Sequence, residues 1–214
     1  MKEKSVGKLS AFFAVMGVLI VACALGIRRG ENKADLTVGE TADKILVFPE
    51  SGFYEKDVTV QITAPKGAVV CYTLNSEEPN EESGQIFSKP VVLEAADEEQ
   101  VYVLRAKAFY ADGTASEICT RTYFCGKNIA DRYDTTIVSI VGDPEDLFGY
   151  EEGILVPGKR YDEFMEEHPD AHPGSGVDAN YTMRGMKAER EVSLEFFDRT
   201  GRKLISLNGG VRVA

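Results

Sequence analysis

Several groups of side chains in this sequence have the types and spacing that chemistry uses. Asp143, Glu145 and Asp146 lie close together, as divalent-metal ligands do, and Glu77-Glu78 with Glu81-Glu82 offer paired carboxylates for acid and base work. Arg184, Arg190 and Arg212 are guanidiniums of the kind that hold phosphate. Each group also has a plainer reading. A glycosidase needs two carboxylates facing each other across a cleft, one with a raised pKa, whereas acids crowded into one Pro-containing loop read as solvated surface. Asp143 precedes Pro144 at a strand-to-turn junction, where Asp and Pro are ordinary turn residues, and no stretch has the alternating oxygen-ligand spacing of a calcium loop. The arginines have Glu189, Glu191 and Glu195 nearby as partners. Phosphoryl transfer requires a phosphate clamp, metal-binding carboxylates and a residue that positions the nucleophile. The expectation is no catalytic residue, no cofactor and no metal site.

The thiols, imidazoles and rings read similarly. Cys71, Cys119 and Cys125 are an odd set that cannot all pair within one chain. One disulfide involving Cys71 is conceivable in an oxidising exterior, but buried thiols filling apolar space is the preferred reading. There is no Cys-x-x-Cys, and the only histidines, His168 and His172, flank prolines in a polar loop, which argues against zinc. Tyr54, Tyr72, Phe87, Tyr102, Phe109, Tyr110, Tyr123 and Phe124 could stack on sugars, yet strand alternation sends most of them inward and the chain has no Trp.

The elements that must position these residues begin with Leu9–Ile27, 19 residues without a charge between Lys8 and Arg28-Arg29. As a helix this run is roughly 28 Å long, the thickness of a bilayer's hydrocarbon core. Lys2, Lys4 and Lys8 favour an inside N-terminus, so everything from Arg28 onward is expected outside the cytoplasm. We read the run as a transmembrane signal anchor following a cytoplasmic tail over 1–8. Two alternatives stay open. Ala22-Cys23-Ala24 has the small-x-small pattern of signal cleavage, and Ile20-Val21-Ala22-Cys23 resembles a bacterial lipoprotein box, which makes Cys23 a candidate for lipidation. The charge is divided accordingly. Of 24 Lys/Arg and 35 Asp/Glu, six and two fall in Met1–Lys33, so the remainder carries 18 basic and 33 acidic residues, net −15. Such a body repels nucleic acid and anionic lipid.

After a polar linker over 28–47 the texture becomes β. Val58, Val60 and Ile62 alternate with polar residues up to Pro65-Lys66-Gly67. Further strands are predicted over Ala68–Leu74, Pro90–Glu94, Val101–Tyr110 and Ser116–Phe124, the last two joined by a turn at Ala111-Asp112-Gly113. Strands at this spacing with no helical pattern between them predict a small β-sandwich. A linker over 126–135 leads to a second module, with a buried strand at Thr135–Val141, a short strand at Ile154–Val156, one or two helical turns at Tyr161–Glu167 and a loop over His168–Asp178. A hairpin of Glu191–Phe197 and Arg202–Leu207 follows, then a last strand from Gly210. No long amphipathic helix is available to cover the hairpin's apolar face, so this module is expected to be unfinished and marginally ordered by itself.

Two resemblances sharpen this. Pro49-Glu50-Ser51-Gly52-Phe53-Tyr54, Val58-Thr59-Val60, Tyr72-Thr73-Leu74-Asn75-Ser76-Glu77-Glu78-Pro79 and Ala106-Lys107-Ala108 with Ser116 resemble the chitobiase/β-hexosaminidase C-terminal-type repeat, with Asn75-Ser76 where Asp-Gly is usual. The resemblance implies an immunoglobulin-like sandwich over 48–125, accessory to surface and secreted enzymes, serving as a spacer or a carbohydrate contact. Ile137-Val138-Ser139-Ile140, Asp143–Phe148, Gly153–Gly158, Ala179-Asn180-Tyr181, Arg184-Gly185, Glu189–Asp198 and Gly210–Val213 resemble the N-terminal part of the CotH family of bacterial spore-coat and surface proteins. That family's domain is kinase-like, and its phosphate-contacting, metal-binding and catalytic segments come later than Val213.

The sequence therefore predicts a mainly β protein: an N-terminal transmembrane helix, an immunoglobulin-like β-sandwich, and over 136–214 an incomplete, β-rich CotH-like module. The expected function is a non-catalytic, extracytoplasmic portion of a single-pass bacterial surface protein, whose partners are the membrane through Leu9–Ile27 and the remainder of a CotH-like domain. The alternatives are a complete cell-surface protein that binds cell-wall or extracellular glycan, and a residual nucleotide-binding role for the CotH-like half.

Overall fold

The computed structural model describes residues 44–80, 82–172, 174 and 176–213. Leu9–Ile27, with Cys23 inside it, lies outside the described residues, as do Glu81 and Ala214. No helix among the described residues is long and apolar enough to cross a membrane.

Eight strands make the first module. β1 (Leu46–Phe48), β3 (Val58–Thr63) and β6 (Val91–Leu93) form one sheet in the order β1-β3-β6. β2 (Gly52–Tyr54), β4 (Val69–Thr73), β5 (Gln85–Ile86), β7 (Gln100–Phe109) and β8 (Cys119–Cys125) form the other, in the order β2-β8-β7-β4-β5. The sheets bury one core between them. Val58, Val60 and Ile62 of β3 enter it from one side, and Leu104, Ala106 and Ala108 of β7 from the other. Period-2 alternation dictates this, because every second side chain on a strand points to the same face. The expected inward face of β7 is therefore present, with Tyr102 half-buried at its rim. β1, β2 and β5 are additional, each too short to show a period. β1 and β2 belong to different sheets, and the chain crosses between them at the cis bond Phe48-Pro49, after which β2 runs parallel to β8.

The second module is a three-stranded antiparallel sheet in the order β11-β10-β9, formed by β9 (Ile137–Gly142), β10 (Arg190–Phe197) and β11 (Lys203–Val211). Val192 and Leu194 of β10 point to one face, where Leu147 and Ile154 cover them. Glu195 and Phe197 point to the other, and both are buried.

Four expectations are corrected here. Asp143-Pro144 opens a helix, α1 (Pro144–Phe148), in place of a turn. Ile154–Val156 is not a strand, and Ile154 instead plugs the core at 1 % exposure. β9 is not buried along its length, because Val138 and Ile140 are exposed. No separate strand begins at Gly210, which continues β11 and pairs with Glu191. The helical turns foreseen at Tyr161–Glu167 are present and start earlier, as α2 (Gly158–Glu167). Gly158 sits at φ +60°, and a Cβ there would meet the Asn180 side chain at 2.0 Å, so only glycine fits where α2 packs on the Asn180 turn.

Candidate functional site

The chemistry-bearing residues converge on the seam between the two modules. β8 alternates Tyr123 and Cys125 into the sandwich core with Thr120, Thr122 and Phe124 outward, so its outer face is partly polar and partly aromatic. β10 meets that face with Glu195 and Phe197. The Glu195 carboxylate, 2 % exposed, accepts from the Ser51 hydroxyl at 2.6 Å and from the Thr122 backbone N–H at 3.0 Å. Lys203 Nζ stands 3.9 Å away. Beside it, Thr122 Oγ1 and Ser139 Oγ share a hydrogen bond of 2.8 Å. A buried carboxylate is tolerated only where donors satisfy it, and here they come from both modules.

An aromatic block closes the adjoining end. The Phe197 ring, fully buried, stacks edge-on to Phe124 at 5.5 Å between centroids, and Phe124 does the same to Phe53 at 5.4 Å. Ile129, Tyr133 and Ile137 from the intervening segment complete it. Gly201, in the β10–β11 turn at φ +77°, lies so close to Phe53 that a Cβ would fall 2.1 Å from the ring. Around the rim, Glu50 pairs with Lys203 and lies 3.6 Å from Arg121. Burial pushes the Glu50 pKa up, but the Lys203 ammonium and the Arg121 guanidinium outweigh it and hold the carboxyl below its usual value. A further bond joins the modules at the loop after β4: the Glu78 backbone N–H donates to Asp143 Oδ2 at 3.0 Å.

Asp143 therefore has a structural use. Its other oxygen accepts from the Glu145 N–H at 3.0 Å, capping α1, while Asp146 lies 3.7 Å from Arg190. Among the described residues no group of three or more His, Cys, Asp or Glu is placed to hold a metal. Glu78 pairs with Lys107 at 2.5 Å rather than facing a second acid. Arg190 pairs with the carboxylates of Asp146 and Glu152 and meets Glu189 only at its backbone carbonyl, at 3.3 Å, and Arg184 donates to the carbonyls of Tyr181 and Met183. Arg105 was not singled out by the sequence. It lies 3.9 Å from Asp143 and donates to the Ser76 carbonyl at 2.6 Å, and burial lowers its pKa despite Asp143, Glu78 and Asp146. His168 stacks on Phe164, and His172 is exposed.

Cys71 and Cys125 are buried and Cys119 is half-buried, and Cys119 and Cys125 are free thiols. Burial raises Cys119 and pushes Cys125 up to about 11, which keeps both protonated and unreactive at neutral pH. None of the eight rings considered as sugar platforms is exposed. Tyr72 is buried with its hydroxyl on Gln85, and Tyr123 is fully buried with its hydroxyl on the Pro49 carbonyl. Among the described residues the exposed Phe and Tyr rings are Phe48, Phe148 and Tyr150, which sequence reasoning passed over because no alternation isolates them.

No curated protein and no solved structure gives a significant match to the chain. Residues 49–120 match the family model of the chitobiase/beta-hexosaminidase C-terminal domain, so the segment running from Pro49 to the start of β8 carries that domain's pattern.

Proposed function

We propose that the chain is a membrane-anchored, extracytoplasmic and non-catalytic portion of a bacterial surface protein of the CotH type, with the sandwich as its spacer or accessory module. Leu9–Ile27 is the single-pass anchor in this reading, and the body stands outside the cytoplasm. The observation that carries it is the use to which the chemistry-bearing residues are put. Glu195, Asp143, Arg190 and Glu78 are all committed to holding strands, caps and modules together. The order of elements supports it as well, since the uncharged run precedes a segment matching an accessory domain.

Cell fractionation tests the reading. The protein is expected in membranes after carbonate washing, at full length, and open to protease added from outside. Recovery of a soluble product beginning near Leu25 would replace the anchor with a cleaved signal, and a diacylglyceryl-modified N-terminus at Cys23 would replace it with a lipid.

A further inference from the structure

Among the described residues the second module's sheet ends in β11, which is bonded on one side only. β10 occupies that side, and no described strand lies on the other. An unpaired edge is a template on which another strand adds, and proteins usually blunt it with proline, charge or a bulge. Lys203–Val211 has no proline, its one charge is Lys203 at the start, and its register shift falls at the turn end, opposite Phe196/Phe197.

The two faces of this edge differ. On one, Ile205 and Leu207 are 51 % and 44 % exposed and continue the apolar row through Phe196 to the exposed Val138 and Ile140. On the other, Ser206 and Asn208 border a trough between β11 and the segment 115–121, made of adjoining cavities of about 500 and 580 Å³. Glu117, Glu189 and Glu191 line the trough, and none of the three is in an ion pair among the described residues. The guanidiniums there are already engaged, Arg190 by Asp146 and Glu152, Arg105 by Ser76 and Asp143. Arg121 is paired with Glu50, and Lys44 is the one cation of the trough without an ion pair among the described residues, so set against Glu117, Glu189 and Glu191 the uncommitted charge is net negative. Gly209 adds an independent sign. A Cβ there would make only an ordinary contact, 3.7 Å from Leu207, so nothing among the described residues requires glycine. Glycine inside a strand weakens it and suits a place where another backbone comes close.

We propose that β11 is a docking edge for an extended, basic segment of a partner protein, which adds as a further strand. Its alternate residues are apolar against Ile205 and Leu207 and basic toward Glu117 and Glu191. The net charge of −11 favours such a partner and opposes a second copy of this chain.

The test uses the full chain in neutral detergent and a labelled nine-residue peptide alternating valine and lysine. Controls are a valine–glutamate peptide, a block-ordered valine–lysine peptide and detergent alone. Expected is binding of the alternating valine–lysine peptide at least ten-fold tighter than of either control, with slowed amide exchange in β11. Leu207→Lys and Glu191→Lys, both at exposed side chains and checked for unchanged melting, should each weaken it at least ten-fold. Equal binding of the three peptides, or binding indifferent to both substitutions, overturns the proposal. So does slow exchange of β11 in the chain without peptide, which would mean that a second copy or another part of the chain already fills the edge.

Discussion

Glu195 is the residue on which the seam turns. Without its carboxylate the Ser51 hydroxyl loses its acceptor and the Thr122 N–H keeps only the Ser51 oxygen at 3.1 Å. Glu195→Ala should therefore destabilise the protein by roughly 2–4 kcal/mol, the range for leaving buried partners unpaired. Glu195→Gln, which keeps the acceptor oxygen, should lose less. Denaturant unfolding of the two variants measures this, and equal losses would show that the space rather than the bonding matters. Gly201→Ala probes the same seam sterically. A left-handed backbone and the Phe53 ring both oppose the added carbon, so a loss of at least about 2 kcal/mol is expected. Little of this was legible beforehand. Glu195 sits in an alternating strand where a polar residue ordinarily faces water, and only the packing of a second sheet onto β8 reverses that. Sequence alternation assigns residues to faces, but it does not say that both faces are covered.

At the scale of elements, hydrophobic period and turn chemistry found β3, β4, β6, β7, β8 and the β10–β11 hairpin, because each has several alternating residues or a turn glycine. β1, β2 and β5 have two or three residues apiece, and α1 has five, too few for any period to register. The signal for α1 was nevertheless present, as Asp143 in the cap position followed by Pro144 at the first helical residue. Asp143→Ala should cost about 1 kcal/mol through the lost cap and somewhat more through the lost bond from Glu78. Helix unfolding can be followed by exchange of the amides over 145–149. The hairpin turn carries a pH dependence. The Thr200 hydroxyl, aided by the backbone N–H groups of Arg202 and Thr200, outweighs burial and holds the Asp198 carboxyl down at about 2. A depressed folded pKa gives stability that is present above the ordinary Asp range and is lost as pH falls through roughly 4 to 2. Carboxyl carbon shifts should titrate with a midpoint near 2, moving up in Thr200→Ala. A midpoint close to 4 in the unaltered chain would remove Asp198 from the turn's support.

Across the whole molecule, the second module read from sequence as a sheet lacking a cover. Part of the cover comes from inside the chain. The outer face of β8 receives Glu195 and Phe197, and α1 with Ile154 covers Val192 and Leu194 on the opposite face. Among the described residues, what remains open is the apolar end of β9–β11 and the β11 edge. The sequence could not show the seam because its partners, Ser51, Thr122, Phe124 and Glu195, lie up to 144 residues apart and carry no common pattern. If sandwich and second sheet are one cooperative body, removing either should expose Phe124 or Phe197, each contributing about 1.5–3 kcal/mol on burial. Native-state hydrogen exchange then decides most directly, comparing the amides of β7 with those of β10 in the same chain. Exchange through one shared unfolding reaction, with Leu104–Ala108 and Val192–Phe197 protected to the same degree and both weakened together by Glu195→Ala, is the expected result. Rapid exchange of β10 while β7 stays protected would contradict it, and would make the second module an independently opening unit.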